Sequence, residues 1–164
     1  NPRFWQPVIP DFKEYYNLSK NSKILDVGCA KGFMLHDFLE LIPGIEVSGV
    51  DISNYAIENC MTSVKDFVQV ADARELPFED NTFDLAISVT TLHNFERIEC
   101  IQALQEIQRV SKNAFITVDA FRNNLEKEAM FAWNLTAKTI LHVDEWIELF
   151  NEAGYSSDFY WFMP

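Results

Sequence analysis

The chain has 164 residues, which fits one domain, and its 48% hydrophobic content with 14 Phe can bury a sizeable core. Its 25 acids against 13 bases leave a net charge of −12, and with no basic run in the sequence a nucleic-acid substrate is not expected. No apolar window approaches membrane-spanning length, and three cysteines without metal-ligand spacing, at least one necessarily unpaired, fit a reducing, cytoplasmic setting. The first residue is Asn1 rather than Met, so the sequence reads as a piece of a longer product.

Residues 1–22 carry Phe4, Trp5, Phe12, Tyr15, Tyr16 and Leu18, and Pro10-Asp11 is a plausible helix start. These aromatics either cover a sheet edge or helix face, or cap a pocket; aromatic stripes more often belong to the core. Ile24, Leu25 and Val27 then form a short apolar run of the kind that makes a buried strand. The run breaks into Gly28-Cys29-Ala30-Lys31-Gly32, where small residues let a ligand approach the backbone. Phe33, Met34, Phe38, Leu39 and Ile42 follow at helical spacing until Pro43-Gly44. A second strand, Val47 to Val50, delivers Asp51 at its carboxyl end. A carboxylate about 20 residues beyond a glycine loop suits the two hydroxyls of a ribose. A dinucleotide site would carry a third glycine where this chain has Phe33, so the loop argues for a nucleoside without phosphate.

Ser53 can cap a helix containing Tyr55, Ala56, Ile57 and Met61. Phe67, Val68 and Val70 form a third strand that ends in Ala71-Asp72-Ala73, on the same edge as Asp51. After a turn-rich stretch, Phe83 to Val89 is a fourth strand leading into Thr90-Thr91-Leu92-His93-Asn94-Phe95. Arg97 to Lys112 is an amphipathic scaffold helix, and Ala114 to Asp119 a fifth strand. Residues 120 to 142 give no firm assignment beyond a helix within Leu125 to Trp133. Asp144 to Ala153 reads as a helix closed by Gly154, and Tyr155 to Phe162 as a final strand. The alternation predicts an α/β domain spanning 1–164: a doubly wound, mostly parallel, Rossmann-like sheet in the order 3-2-1-4-5, with the C-terminal strand beyond and 1–22 as an N-terminal cap segment.

From Asp26 to Gly32 the loop resembles the first motif of the class I S-adenosylmethionine (SAM) methyltransferases, (Asp/Glu)-x-Gly-x-Gly-x-Gly, with Ala30 in place of the middle glycine. That alanine would cost about 1 to 2 kcal/mol if the position needs a left-handed backbone. The fourth strand resembles the family's in pattern and place. The resemblance implies S-adenosyl-L-methionine as cofactor, with contacts at Asp26, Gly28, Cys29, Ala30, Gly32, Asp51, Ile52, Asp72, Ala73 and Ser88, and no metal. Asp51 would take the ribose hydroxyls and Asp72 the adenine amino group, unless Asp72 is an ordinary loop or capping acid. Family members commonly turn into the fifth strand through Lys-Pro-Gly-Gly; here Lys112-Asn113 demands a tighter turn. The family's seventh strand returns antiparallel; in this sequence it is missing, supplied by other residues, or replaced.

Methyl transfer from a sulfonium is an in-line displacement that needs positioning and desolvation more than a dedicated acid or base. His93 is the candidate base, because it follows the fourth strand at the crevice and imidazole titrates near neutral pH. Packing under the cofactor is the equal alternative for that side chain. Leu92-His93-Asn94 resembles the corresponding loop of the quinone C-methyltransferase group, while His36 and His142 read as scaffold. Ser88-Val89-Thr90-Thr91 is not the Asn-Pro-Pro-Tyr type of amino-nitrogen methyltransferases, and no Pro-Cys supplies a thiolate for pyrimidine attack. The expected activity is methyl transfer from SAM to a small-molecule acceptor, without nucleic-acid or membrane partners. The alternatives are a non-catalytic SAM-binding regulatory domain, a protein methyltransferase, and a nucleotide-dependent oxidoreductase, the last disfavoured by Phe33.

Overall fold

The computed structural model describes residues 4–163, so the first three residues of the expected cap segment lie outside it. Seven strands form one sheet: β1 (Lys23–Val27), β2 (Glu46–Asp51), β3 (Val68–Val70), β4 (Leu85–Ser88), β5 (Ala114–Phe121), β6 (Leu141–His142) and β7 (Asp158–Phe162). Their order is β3-β2-β1-β4-β5-β6, and β7 also pairs with β5. All these pairs are parallel. β5 is long enough to hold two partners on one edge, since Phe115 to Asp119 run beside β7 and Ala120 and Phe121 beside β6. Residues Ile24 to Val27 are all buried at the sheet centre, which is why the run is apolar apart from Asp26.

Helices α1 (Ile9–Tyr15), α2 (Phe33–Leu41), α3 (Asn54–Glu58), α4 (Arg97–Val110), α5 (Asn124–Trp133) and α6 (Val143–Ala153) connect the strands. One core layer joins Ile9, Phe38, Leu35 and Ile24, placing α1 and α2 on one face. The other joins Leu104, Ile107, Trp146 and Leu149, placing α4 and α6 opposite. Phe12 meets Phe115 edge-on at 5.1 Å, while Tyr15 and Tyr160 stay exposed beside it.

Several boundaries differ from the sequence reading: α3 ends at Glu58 before Met61, α4 at Val110 before Lys112, β4 begins at Leu85 and β5 runs on to Phe121. Two further differences have identifiable reasons. β4 stops at Ser88, because Thr90 turns the chain with φ +51°. β7 starts at Asp158, because Gly154 closes α6 in the left-handed conformation and Tyr155 buries its ring, its hydroxyl donating to Asp158 O at 2.7 Å. The tight turn before β5 is pinned to Asp84. Lys112 Nζ pairs with its carboxylate at 2.7 Å and Asn113 Nδ2 donates to its backbone carbonyl at 3.0 Å. The short strand β6 and the 3₁₀ turns at Thr62–Val64 and Leu92–Asn94 had no signal in the periodicity.

Candidate active site

Parallel pairing brings the carboxyl ends of β1 to β4 to one edge, with Asp26 opposite Gly49 and Ile87, and Asp51 opposite Val70. The loop after β1 closes over that edge. Gly28, Ala30 and Gly32 all take positive φ, at +84°, +47° and +76°. The amides of Gly28 and Cys29 both donate to Val50 O, at 2.8 and 2.9 Å. A methyl group on Gly28 would sit 2.1 Å from Thr91 Oγ1, so the loops after β1 and β4 meet only because glycine has no side chain.

Asp51 is the organising acid. Its Oδ2 accepts from Ala30 N and its Oδ1 from Ser53 N, both at 2.8 Å. Each carboxylate oxygen retains a second lone pair, the requirement for also taking the two hydroxyls of a ribose. Asp26 is buried beside it, and among the described residues no group donates a hydrogen bond to its carboxyl. Burial, reinforced by the charge of Asp51, pushes Asp26 up to about 7.

The remaining sequence candidates divide. Ile52, which follows Asp51, is exposed, and Ala73, which follows Asp72, is buried. Asp72 is engaged by Arg74, whose Nε lies 2.9 Å from Oδ1 and whose Nη2 lies 2.5 Å from Oδ2; Arg74 also reaches Glu99. That guanidinium holds the Asp72 carboxyl below its ordinary range. Ser88 turns its hydroxyl into the sheet, donating to Val27 O at 2.9 Å, and Cys29 packs its buried thiol near Gly49, so the loop offers only the Cys29 backbone. Burial also drives that thiol well above its ordinary value.

His93 lies in the 3₁₀ turn after β4 and is buried. Its Nδ1 sits 3.2 Å from Oδ1 of Asp119, which is fully buried near the carboxyl end of β5. Both atoms are sealed from solvent without an aligned hydrogen bond. The other Asp119 oxygen accepts from Asn134 Nδ2. Burial holds the imidazole below its usual range against the pull of Asp119, and lifts the Asp119 carboxyl. The segment after α5 clamps this pair: Lys138 N and Thr139 N donate to His93 O at 2.9 and 3.0 Å, and Thr139 Oγ1 donates to Phe95 O at 2.7 Å. Thr90, a β-branched residue in the left-handed region, donates its amide to Thr117 Oγ1 at 2.9 Å. Backbone strain of this kind persists where surrounding contacts impose it. In the sequence Asp119 stands only as the last residue of the expected fifth strand, and Asn134, in the segment without periodicity, carries no signal. His36, hydrogen-bonded to Ser63, and His142, which caps α6, are scaffold as expected.

Residues 24–114 match the methyltransferase domain family. The chain belongs to that family. The matched stretch holds Asp26, Asp51, Asp72 and His93 but ends before Asp119. A sterol 4-C-methyltransferase of Caenorhabditis elegans is 32% identical over 120 residues, covering 68% of this chain and 35% of the relative. A tRNA (carboxymethyluridine(34)-5-O)-methyltransferase of Arabidopsis thaliana is 32% identical over 145 residues, covering 86% and 33%. The chain thus spans about a third of the length of these two curated relatives. The fold matches a chain from a complex between the Haloferax volcanii Trm112 methyltransferase activator and a methyltransferase, with TM-score 0.72, 21% identity, and coverage of 93% of this chain and 69% of that one. Family members use SAM, and their acceptors differ in kind. No described helix is long and apolar enough to cross a membrane.

Proposed function

We propose that this chain is a SAM-dependent methyltransferase acting on a small-molecule acceptor. The observation that carries the reading is Asp51, a carboxylate fixed by two loop amides at the end of β2 with an acceptor lone pair left on each oxygen. The bound cofactor would supply an electrophilic methyl group on a sulfonium. Asp51 would hold the ribose hydroxyls, Ile52 the face of the base, and Asp72 the adenine amino group through the lone pairs Arg74 leaves. Asp26, buried and without a donor partner, suits a ligand ammonium. The amides and glycines of residues 28–32 would let the ligand approach the main chain.

Holding acceptor and methyl donor in line can supply about 7 to 11 kcal/mol of the barrier. His93 then takes the acceptor proton, and Asp119, held by Asn134, fixes the ring and offsets the charge the imidazole gains. A histidine that burial keeps neutral beside a carboxylate has the protonation state a base needs. The net charge of −12 disfavours RNA, although one relative is named for a tRNA modification.

Thermal unfolding with S-adenosylhomocysteine and with NAD tests the cofactor. At 100 times its dissociation constant a ligand adds about 2.7 kcal/mol, so the first should raise the melting temperature and the second should not. A shift with NAD alone would reject the reading. Cofactor binding without methylation of any acceptor pool would support the regulatory alternative.

A further inference from the structure

We propose that the acceptor is an elongated, apolar molecule carrying a positively charged group at the end remote from the methylated atom, bound in the groove between α1 and the β5–β7 edge; this rests on the methyltransferase reading above. The groove has a volume of about 690 Å³, within the range of small-molecule sites. Its floor is Phe115 and Thr117, alternate residues on one face of β5, and the next residue on that face is Asp119, the partner of His93. Groove and His93–Asp119 pair therefore occupy one stripe of one strand. Thr117 also ties the groove to the loop that carries His93, because its hydroxyl accepts the amide of Thr90, which follows Val89 of the groove lining.

The walls are aromatic: Trp5, Phe12 and Tyr16 on one side and Tyr160 on the other, while Phe159, one residue out of phase, turns its ring to Phe150 on the opposite face. Phe12 stands edge-on to Phe115 at 5.1 Å, so the walls are braced before any ligand enters. The charged residues among the lining are Asp11 and Asp158, both acids; no Lys, Arg or His faces the groove, and neither acid forms an ion pair among the described residues. Asp158 is oriented by Tyr16 OH at 2.8 Å and Tyr15 OH at 3.4 Å. Aromatic faces around a fixed carboxylate recognise an ammonium or a cationic heterocycle and reject an anion. The register fixes the spacing. Asp158 pairs with Phe115 and Phe162 with Asp119, so the acid lies four residues, about 13 Å, from the level of the His93 pair. A ligand cation at Asp158 thus serves as a handle, while the apolar body runs over Phe115 and Thr117 towards the crevice. Binding energy from such a remote group can position the reacting end.

Calorimetric titration of the chain with n-octylammonium chloride, n-octanol and sodium octanoate tests this. The ammonium should bind about tenfold more tightly than the alcohol, with the carboxylate weakest. Asp158→Asn keeps the acceptor for Tyr16 and should erase the preference while leaving the octanol affinity intact, which also reports that the groove is folded. Octanol binding as tightly as the ammonium, or a preference that survives in Asp158→Asn, would overturn the proposal. So would failure of all three probes to bind, which would leave the groove to a protein or to another segment. A parallel titration with S-adenosylhomocysteine separates the two claims. Cofactor binding without cation preference defeats this inference alone; cation preference without cofactor binding defeats the methyltransferase reading and with it the identification of the ligand as an acceptor.

Discussion

Asp51 Oδ2 accepts the backbone N–H of Ala30 at 2.8 Å, and the residue it holds has φ +47°. A left-handed alanine costs about 1 to 2 kcal/mol, and glycine at the same place would relieve this while adding roughly 0.5 to 1 kcal/mol of unfolded-state entropy. Ala30→Gly should therefore raise stability by up to about 1 kcal/mol in urea unfolding. A clear loss instead would mean that the Ala30 methyl group contributes packing that outweighs the strain.

The same bond makes Asp51 a loop anchor, and the proposed function gives it the ribose hydroxyls as well. Removing a charged hydrogen-bond acceptor costs about 1.5 to 3 kcal/mol, so Asp51→Ala should weaken S-adenosylhomocysteine binding tenfold or more. Unchanged affinity by calorimetry in a folded variant would refute the assignment.

Asp26 predicts a pH dependence with a definite sign. Its folded carboxyl titrates at about 7 against 3.8 unfolded, so between pH 4 and 7 the native state binds the extra proton and stability falls as pH rises. The full loss reaches up to about 4 kcal/mol above pH 7. Asp26→Asn should flatten that slope. A ligand ammonium beside Asp26 favours the ionised carboxylate, so affinity should climb as pH rises from 6 to 7 in the parent and stay level in the variant. Parallel profiles for the two proteins would remove Asp26 from the site.

The arrangement proposed to hold the cofactor was legible because its parts are local. Asp26, the 28–32 loop and Asp51 lie within 26 residues of sequence, and period-2 and helical spacing put them on one edge. Ser88 and Cys29 could be placed near that edge by position alone, yet which way a side chain points depends on the neighbouring strand, and both turn inward. Arg74 lies two residues from Asp72, but its fork depends on Glu99 in α4, a pairing that spacing does not encode. The pairing of His93 with Asp119 and Asn134 joins three elements across 41 positions, and Asn134 sits where the sequence has no period at all.

The Arg74 fork sharpens the expectation for Asp72. If the remaining lone pairs of Asp72 accept from the adenine amino group, the inosine analogue of S-adenosylhomocysteine should lose tenfold or more in affinity for the parent chain, and much less for Asp72→Ala. Equal losses in both proteins would assign Asp72 to holding Arg74 and nothing else.

His93 and Asp119 give the last prediction. As the base, His93 should be worth about 10² to 10⁴ in turnover, so His93→Ala should lose that much with cofactor affinity nearly intact. Burial keeps the imidazole below 6.5, so the rate should fall only on the acid side of that value. Asp119 works against burial and raises the histidine; Asp119→Asn removes the charge, and the acid limb should move to still lower pH while turnover drops. Asn134→Ala leaves a buried carboxylate oxygen unpaired and should cost about 1 to 3 kcal/mol of stability. A purely structural pair would lose stability in all three variants, and the pH profile of the remaining activity would keep its shape. The movement of the acid limb in Asp119→Asn is therefore the measurement that decides whether the carboxylate orients a base or only fills a buried site.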